Sequence, residues 1–238
     1  MKLKFIPWIF KIVLNFVDNQ MRNSIKMQIE TEVLPPKPTR AFHSYVLVDA
    51  SKLQKLLKNK SQFSLNPSEP GLADFQLFKT SVFYIGKGTK NRELDHLVEA
   101  KKVFMGSKIL GNNDKNLSKI VSLWKRNQGV IILQLDCAAT EYEAFSREFA
   151  MINAVSISKL MNIKHSTCYG EMRYWPETKV KNYGDMLLFQ LFNIFVSRPP
   201  TPIYASDVLL KMNSNNKIFT QIFCPYCKAY RKRLSHRL

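Results

Sequence analysis

A mixed α/β (α+β) domain, with three strands in one sheet, flanking helices and an extension at each end, is the fold class this sequence predicts. Three observations predict it. Short β-branched and aromatic runs at 43–49, 81–86 and 129–135 read as strands. Stretches with apolar residues at helical spacing lie between and after them, at 51–58, 90–104, 115–128 and 141–154. With 238 residues and 45% of them hydrophobic, the chain has enough apolar material for a core, which argues against wholesale disorder.

The elements follow in order. Residues 1–17 combine a basic start with an apolar run, but Pro7, Lys11 and Asn15 interrupt it, and it is shorter than a membrane span requires. It reads as a docked or disordered extension, with targeting or anchoring as the alternative. Three prolines in Val33–Arg40 bar a helix or a central strand there, so 1–40 reads as an extension plus linker. The first strand is His43–Asp49, and Leu53, Leu56 and Leu57 then mark one face of a short helix. A Ser-, Pro-, Asn- and Gly-containing loop follows at 61–72. The second strand, Ser81–Gly86, stops at the turn Gly86-Lys87-Gly88-Thr89. Leu117, Ile120, Val121 and Trp124 give the helix at 115–128 its buried stripe, and Glu141–Ala154 is the last helix of the predicted domain, 41–176. In the remaining 177–238, Met186–Val196 is apolar almost throughout and, if helical, must be buried on most sides or dock on the main domain.

Charge narrows the partners. The chain carries 36 Lys+Arg against 18 Asp+Glu, a formal +18, which points to nucleic acid or an anionic surface and away from acidic protein substrates. Segments 1–40, 41–176 and 177–238 carry +4, +7 and +7, so the last is the most cationic by density. Lys228, Arg231, Lys232 and Arg233 in its acid-free end are candidate phosphate contacts, a frayed solvated tail being the alternative. Four scattered cysteines make no disulfide framework, and a reducing compartment, nucleus or cytoplasm, is expected. Cys224 and Cys227 have zinc-knuckle spacing, but with only His236 nearby they fall short of a four-ligand site. Cys137 reads as a small core residue.

One corner concentrates chemistry. Tyr84 and Gly86 end a strand, Lys87 follows at once, and Arg92 and His96, four residues apart, share a helix face. Cations and donors of this kind bind phosphate and stabilise an in-line transition state, with phenol, imidazole or amine available for proton transfer. Glu148 on the later helix can add one hard oxygen ligand, which suits Mg²⁺ because that ion keeps most of its waters. The strand with Tyr45 would bring a second phenol alongside.

In these residues the sequence resembles the GIY-YIG nucleases, and within them the animal group that carries ankyrin repeats and a LEM domain ahead of the nuclease. The resemblance spans about 43–175. His43-Ser44-Tyr45 stands at the first signature, keeping only its tyrosine, and Tyr84-Ile85-Gly86 is the second signature intact. Residues 83–100, the Lys119–Val130 run with Trp124, residues 146–154, and 168–170 ahead of Trp175-Pro176 carry the likeness to the animal group. The resemblance implies catalytic roles for Tyr45, Tyr84, Arg92 and His96, one divalent ion, Mg²⁺ or Mn²⁺, on Glu148, and further site positions at Lys87 and Asn162. It implies a metal-dependent DNA endonuclease that needs no small-molecule cofactor and acts on branched or structured DNA, in DNA repair. Water is the expected nucleophile, with a tyrosine, helped by Lys87 or His96, taking its proton. The altered first signature and the 38 residues between Tyr45 and Tyr84 keep open an alternative, a nucleic-acid-binding module with weak or lost turnover. Glu99 and Arg147 read as helix-surface or pairing groups. No ankyrin-repeat pattern precedes the nuclease, so the chain reads as a fragment, a split gene product or a stand-alone nuclease. A membrane partner is not expected.

Overall fold

A computed structural model describes residues 7–31, 33–34, 42–58, 71–89, 91–135, 138, 140–212, 218–224 and 229–234. Helix α1 (Pro7–Glu30) precedes β1 (Phe42–Asp49), which runs through a 3₁₀ turn (Ala50–Leu53) into the short α2 (Gln54–Lys58). Asp49 starts that turn by accepting from the Ser51 amide. Helix α3 (Leu72–Ser81) leads without a break into β2 (Val82–Thr89). Then come α4 (Arg92–Phe104), α5 (Lys115–Lys125), β3 (Val130–Gln134), α6 (Glu141–Val155) and α7 (Glu177–Ser197). The order in the main sheet is β2-β1-β3, antiparallel throughout, with β1 at its centre and buried along its whole length.

The two faces of this sheet bury different material. Val46, Val48, Ile85, Ile131 and Leu133 belong to a large cluster with α3, α6 and α7, where Phe75 and Phe78 meet Phe189 and Phe192. Tyr45, Leu47 and Ile132 turn to the other face and pack with Leu97, Val98, Ile120, Val121 and Trp124 of α4 and α5. Period-two alternation along β1 therefore sorts a hydrocarbon face from one that begins with a phenol. Helices α6 and α7 cross closely because position 184 is glycine: a Cβ there would stand 2.0 Å from the Ala150 carbonyl oxygen.

Described residues on either side of 41–176 pack against it. On α1, Met21 and Ile25 are buried in the large cluster, and the helix is tied down by charge. Arg22 grips Glu143 at 2.8 and 3.3 Å, Arg147 meets Glu143 at 2.7 Å and Asp18 at 3.3 Å, and the Tyr183 hydroxyl donates to Asp18. Arg147 is thus a pairing group, as read, though buried rather than on a helix surface. Beyond 176, α7 buries nine of its residues, and the chain then returns along β3 through a bridge between Ile203 and Val130. Trp124 donates to the Ile203 carbonyl.

A second antiparallel sheet, β4 (Val208–Met212), β5 (Ile218–Cys224) and β6 (Ala229–Leu234), occupies the region read as a frayed tail or phosphate contact. Its charge run disguised it, since three consecutive basic residues, Arg231–Arg233, stand inside its last strand. Helix α3 also went unread, because the Pro- and Gly-containing loop before it hides its start. Among the described residues, no helix is long and apolar enough to cross a membrane.

Candidate active site

The geometry of the site starts from Gly86. In the β1–β2 pairing Tyr45 lies opposite Gly86, and a Cβ at that glycine would come within 2.6 Å of the Tyr45 Cζ and Oη and 2.9 Å of Tyr84 Cε1. Only a residue without a side chain lets the Tyr45 ring lie across the neighbouring strand. That placement brings the Tyr45 hydroxyl to 2.8 Å from His96 Nε2 on α4. The Tyr84 ring meets the same imidazole edge-on, with centroids 4.7 Å apart. Two phenols from adjacent strands and one imidazole from a helix thus share a single corner.

Tyr84, Arg92, His96, Glu148 and Asn162 line one open cleft of about 650 Å³, whose further walls come from 108–117 and 161–167. Arg92 extends into solvent at its edge, 3.3 Å from Asp95. Glu148 reaches the cleft from α6, where it accepts from the Ser166 hydroxyl at 2.6 Å. Asn162 spends both ends of its amide on one residue of β2, accepting from the Ile85 N–H at 3.1 Å and donating to the Ile85 carbonyl at 2.7 Å. It thereby fastens the 161–167 wall to the strand that carries Tyr84. Lys87 lies 3.5 Å above the Phe145 ring and 3.8 Å from Glu141.

Burial sets the protonation states. It pushes the Tyr45 phenol well above its ordinary range, with the nearby Tyr84 adding to the effect. Burial also raises Tyr84, helped by the Glu148 charge, while a hydrogen bond from Tyr45 acts in the opposite sense. His96 is pushed down to about 4, chiefly by burial and then by the Arg92 cation, against the opposing pull of Glu93. Near neutral pH this corner holds two protonated phenols and a neutral imidazole. Burial raises Glu148 as well, against the Ser166 hydrogen bond and the Lys87 charge.

Glu148 is a fit donor for a hard cation. It is a largely buried carboxylate that nevertheless lines a polar, water-accessible cleft, so an ion bringing its own waters would relieve the burial cost. Among the described residues no three or more His, Cys, Asp or Glu side chains group as a metal cluster, so a resident ion would rest on this one carboxylate and on water.

Several contributors carry no sequence motif. His43 is buried and hydrogen-bonds Glu93 at 2.9 Å, pinning the first turn of α4 to β1 just beside Arg92. Ser166 and Asn116 touch Glu148 and His96 from loop and helix positions that periodicity cannot connect to them. Glu99 pairs with Lys102 and Lys108, both at 2.9 Å. Of the C-terminal cations, Arg231, Lys232 and Arg233 lie in β6, and Lys228 lies outside the described residues, as do Cys137, Cys227 and His236.

Comparison with known proteins gives the family of the chain. Residues 42–210 match the family model described as LEM-3-like GIY-YIG domain. The chain is 28% identical over 179 residues to the human ankyrin repeat and LEM domain-containing protein 1 and 25% over 177 residues to the mouse protein, in each case covering 71% of this chain. A Caenorhabditis elegans homolog is 31% identical over 113 residues, 48% of this chain. The matched regions span only 27%, 30% and 16% of those relatives. No solved structure gives a significant match.

Proposed function

The chain belongs to the LEM-3-like GIY-YIG family, and on that basis we propose that it is a metal-dependent endonuclease that hydrolyses phosphodiester bonds in DNA, branched or structured DNA being its preferred substrate. The observation that carries this reading is the convergence of Tyr84, Arg92, His96 and Glu148 on one cleft, with Tyr45 bonded to His96 behind them. Arg92, at the cleft edge and exposed, is free to swing onto a phosphate and to neutralise charge that grows on its oxygens during in-line attack. Tyr84 faces the attacking water, with Tyr45 and His96 behind it to support proton movement. Glu148 is the residue that would hold a single divalent ion, Mg²⁺ or Mn²⁺. Such an ion, when bound, supplies Lewis-acid stabilisation of the phosphate. Lys87 adds positive charge beside Glu148, and Asn162 keeps the cleft wall in register.

In this reading residues 41–176 carry the chemistry, while 1–40 and 177–238 are extensions that brace it. Lys228, Arg231, Lys232 and Arg233 contact the DNA backbone outside the cleft. The test is cleavage of linear, flap, junction and supercoiled DNA with Mg²⁺, with Mn²⁺ and with chelator. Metal-dependent product, greatest on junction or flap DNA, is expected. Tight binding without product under every condition would overturn the nuclease reading in favour of a binding module, to which the altered first signature at His43-Ser44 lends its support.

A further inference from the structure

The hydrogen bond between Tyr45 and His96 has a third member behind it. Asn116, in the first turn of α5, sets its amide nitrogen 2.8 Å from Nδ1 of His96. The other ring nitrogen, Nε2, lies 2.8 Å from the Tyr45 hydroxyl, and the rings of Tyr45 and Tyr84 are neighbours, with centroids 6.3 Å apart. An amide nitrogen is a donor only, so Nδ1 must accept and, in a neutral ring, the proton must sit on Nε2. From this we infer that Asn116 is a positioning residue for the proposed reaction: it holds His96 in its Nε2–H tautomer and thereby makes His96 the donor and Tyr45 the acceptor in the string Asn116–His96–Tyr45.

Direction matters because each hydroxyl in such a string has one proton to give. With Nε2–H donating to Tyr45, the Tyr45 proton is turned away from His96 and stays available on the side of Tyr84 and the cleft, to be given to an oxygen that gains charge during the reaction. With the opposite tautomer, Nε2 would draw the Tyr45 proton to itself, and Tyr45 would have none to give. Helix α5 is well placed to hold the amide still, since Leu117, Ile120, Val121 and Trp124 are packed into the same cluster as Leu97 and Val98 of α4. Nothing in the motif spacing singles out residue 116. The inference rests on the nuclease reading for its consequence but not for its geometry.

The experiment reads the tautomer directly, by ¹⁵N NMR of histidine-labelled full-length chain at neutral pH, with His96 assigned by its loss in His96→Gln. In the wild type the Nε2 resonance should be pyrrole-like and that of Nδ1 pyridine-like; the reverse would overturn the inference without any variant. Asn116→Asp keeps the shape but presents acceptors only, so the ring proton should move to Nδ1 and cleavage of the best DNA substrate should fall about 10- to 100-fold, the range known for partners that orient metal-ligating histidines. The fall should be in kcat with KM for DNA little changed. Asn116→Leu removes the donor without adding an acceptor and should lose the fixed tautomer while α5 stays folded by amide NMR. An Asn116→Asp chain with wild-type tautomer and kcat would sink the positioning role. A wild-type chain that cuts no DNA would remove the nuclease reading, and the tautomer measurement would still decide whether Asn116 fixes His96.

Discussion

Two buried polar groups sit on opposite sides of the same sheet, and they do opposite things with charge. Under the hydrocarbon face, Asp18, Arg22, Glu143, Arg147 and Tyr183 tie α1, α6 and α7 together. There each carboxylate meets at least one guanidinium. On the other side Tyr45, Tyr84 and His96 are uncharged near neutral pH, and Glu148, reaching the cleft from α6, has a hydroxyl as its close partner. Dense buried charge is therefore the sign of a brace in this molecule. A lone, half-satisfied carboxylate beside water marks the candidate site.

The contrast is most sharply broken by exchanging what is removed. Arg147→Ala leaves Glu143 and Asp18 without their shared cation and should cost about 3–5 kcal/mol of stability, the usual penalty for stranding a buried charge. Thermal melting would register it as a large fall in Tm. Glu148→Gln should do the reverse. Removing an anion that burial disfavours should leave Tm unchanged or higher, while cleavage falls by about 10³-fold or more and divalent-ion binding by calorimetry is lost. If Glu148→Gln cut DNA at the wild-type rate with limiting Mg²⁺, the one-ion assignment would be wrong. If Arg147→Ala melted like the wild type, the brace would be an accident of packing.

Arg92 tests the same contrast within the cleft. Its side chain is mostly exposed and its contact with Asp95 is a surface pair, so Arg92→Ala should change stability by under about 1 kcal/mol. Cleavage should nonetheless drop about 10²- to 10³-fold, the cost of losing one preorganised charge-stabilising group, with ion affinity little altered. A stability loss comparable to that of Arg147→Ala would place Arg92 in the brace instead.

What was legible in the sequence follows the same division. The three strands of the main sheet and helices α4, α5 and α6 announce themselves because each repeats one period over several residues, and Tyr84, Lys87, Arg92 and His96 fall within fourteen residues of chain. Glu148 needed only the face of one helix. The brace was invisible because Asp18 and Arg22 lie 121 or more residues from Glu143 and Arg147, and no local pattern records such a pairing. Asn116 and Ser166 were unreadable for the same reason. Helix α7 was legible as an apolar segment that must be buried or docked on the main domain, but its particular partners, the alanines of α6 and the phenylalanines of α3, were not. The second sheet was masked by the basic residues that made its last strand look like a tail.

The smallest effect comes from His96 and is read in acid. An ordinary histidine takes up a proton near 6.5, whereas His96, buried and beside Arg92, does so near 4 despite Glu93 and with the phenols of Tyr45 and Tyr84 against it. Between those values the unfolded chain binds a proton that the folded chain refuses, so the stability contributed by the neutral imidazole is fully present above 6.5 and is lost as the pH falls toward 4. Going from pH 7 to pH 5 should cost about 2 kcal/mol through this one group. Glu148, whose own value is raised, works in the opposite direction over part of that range, so the raw stability profile mixes the two. The difference between wild type and His96→Gln isolates the histidine, because Gln keeps a polar side chain in the corner but has nothing to titrate. Urea unfolding at pH 7 and pH 5 should show the wild type losing about 2 kcal/mol more than His96→Gln. Equal losses would mean that His96 takes up its proton in the folded chain as readily as in water. The neutral string Asn116–His96–Tyr45 would then hold only above about pH 6.5 and not down to about pH 4.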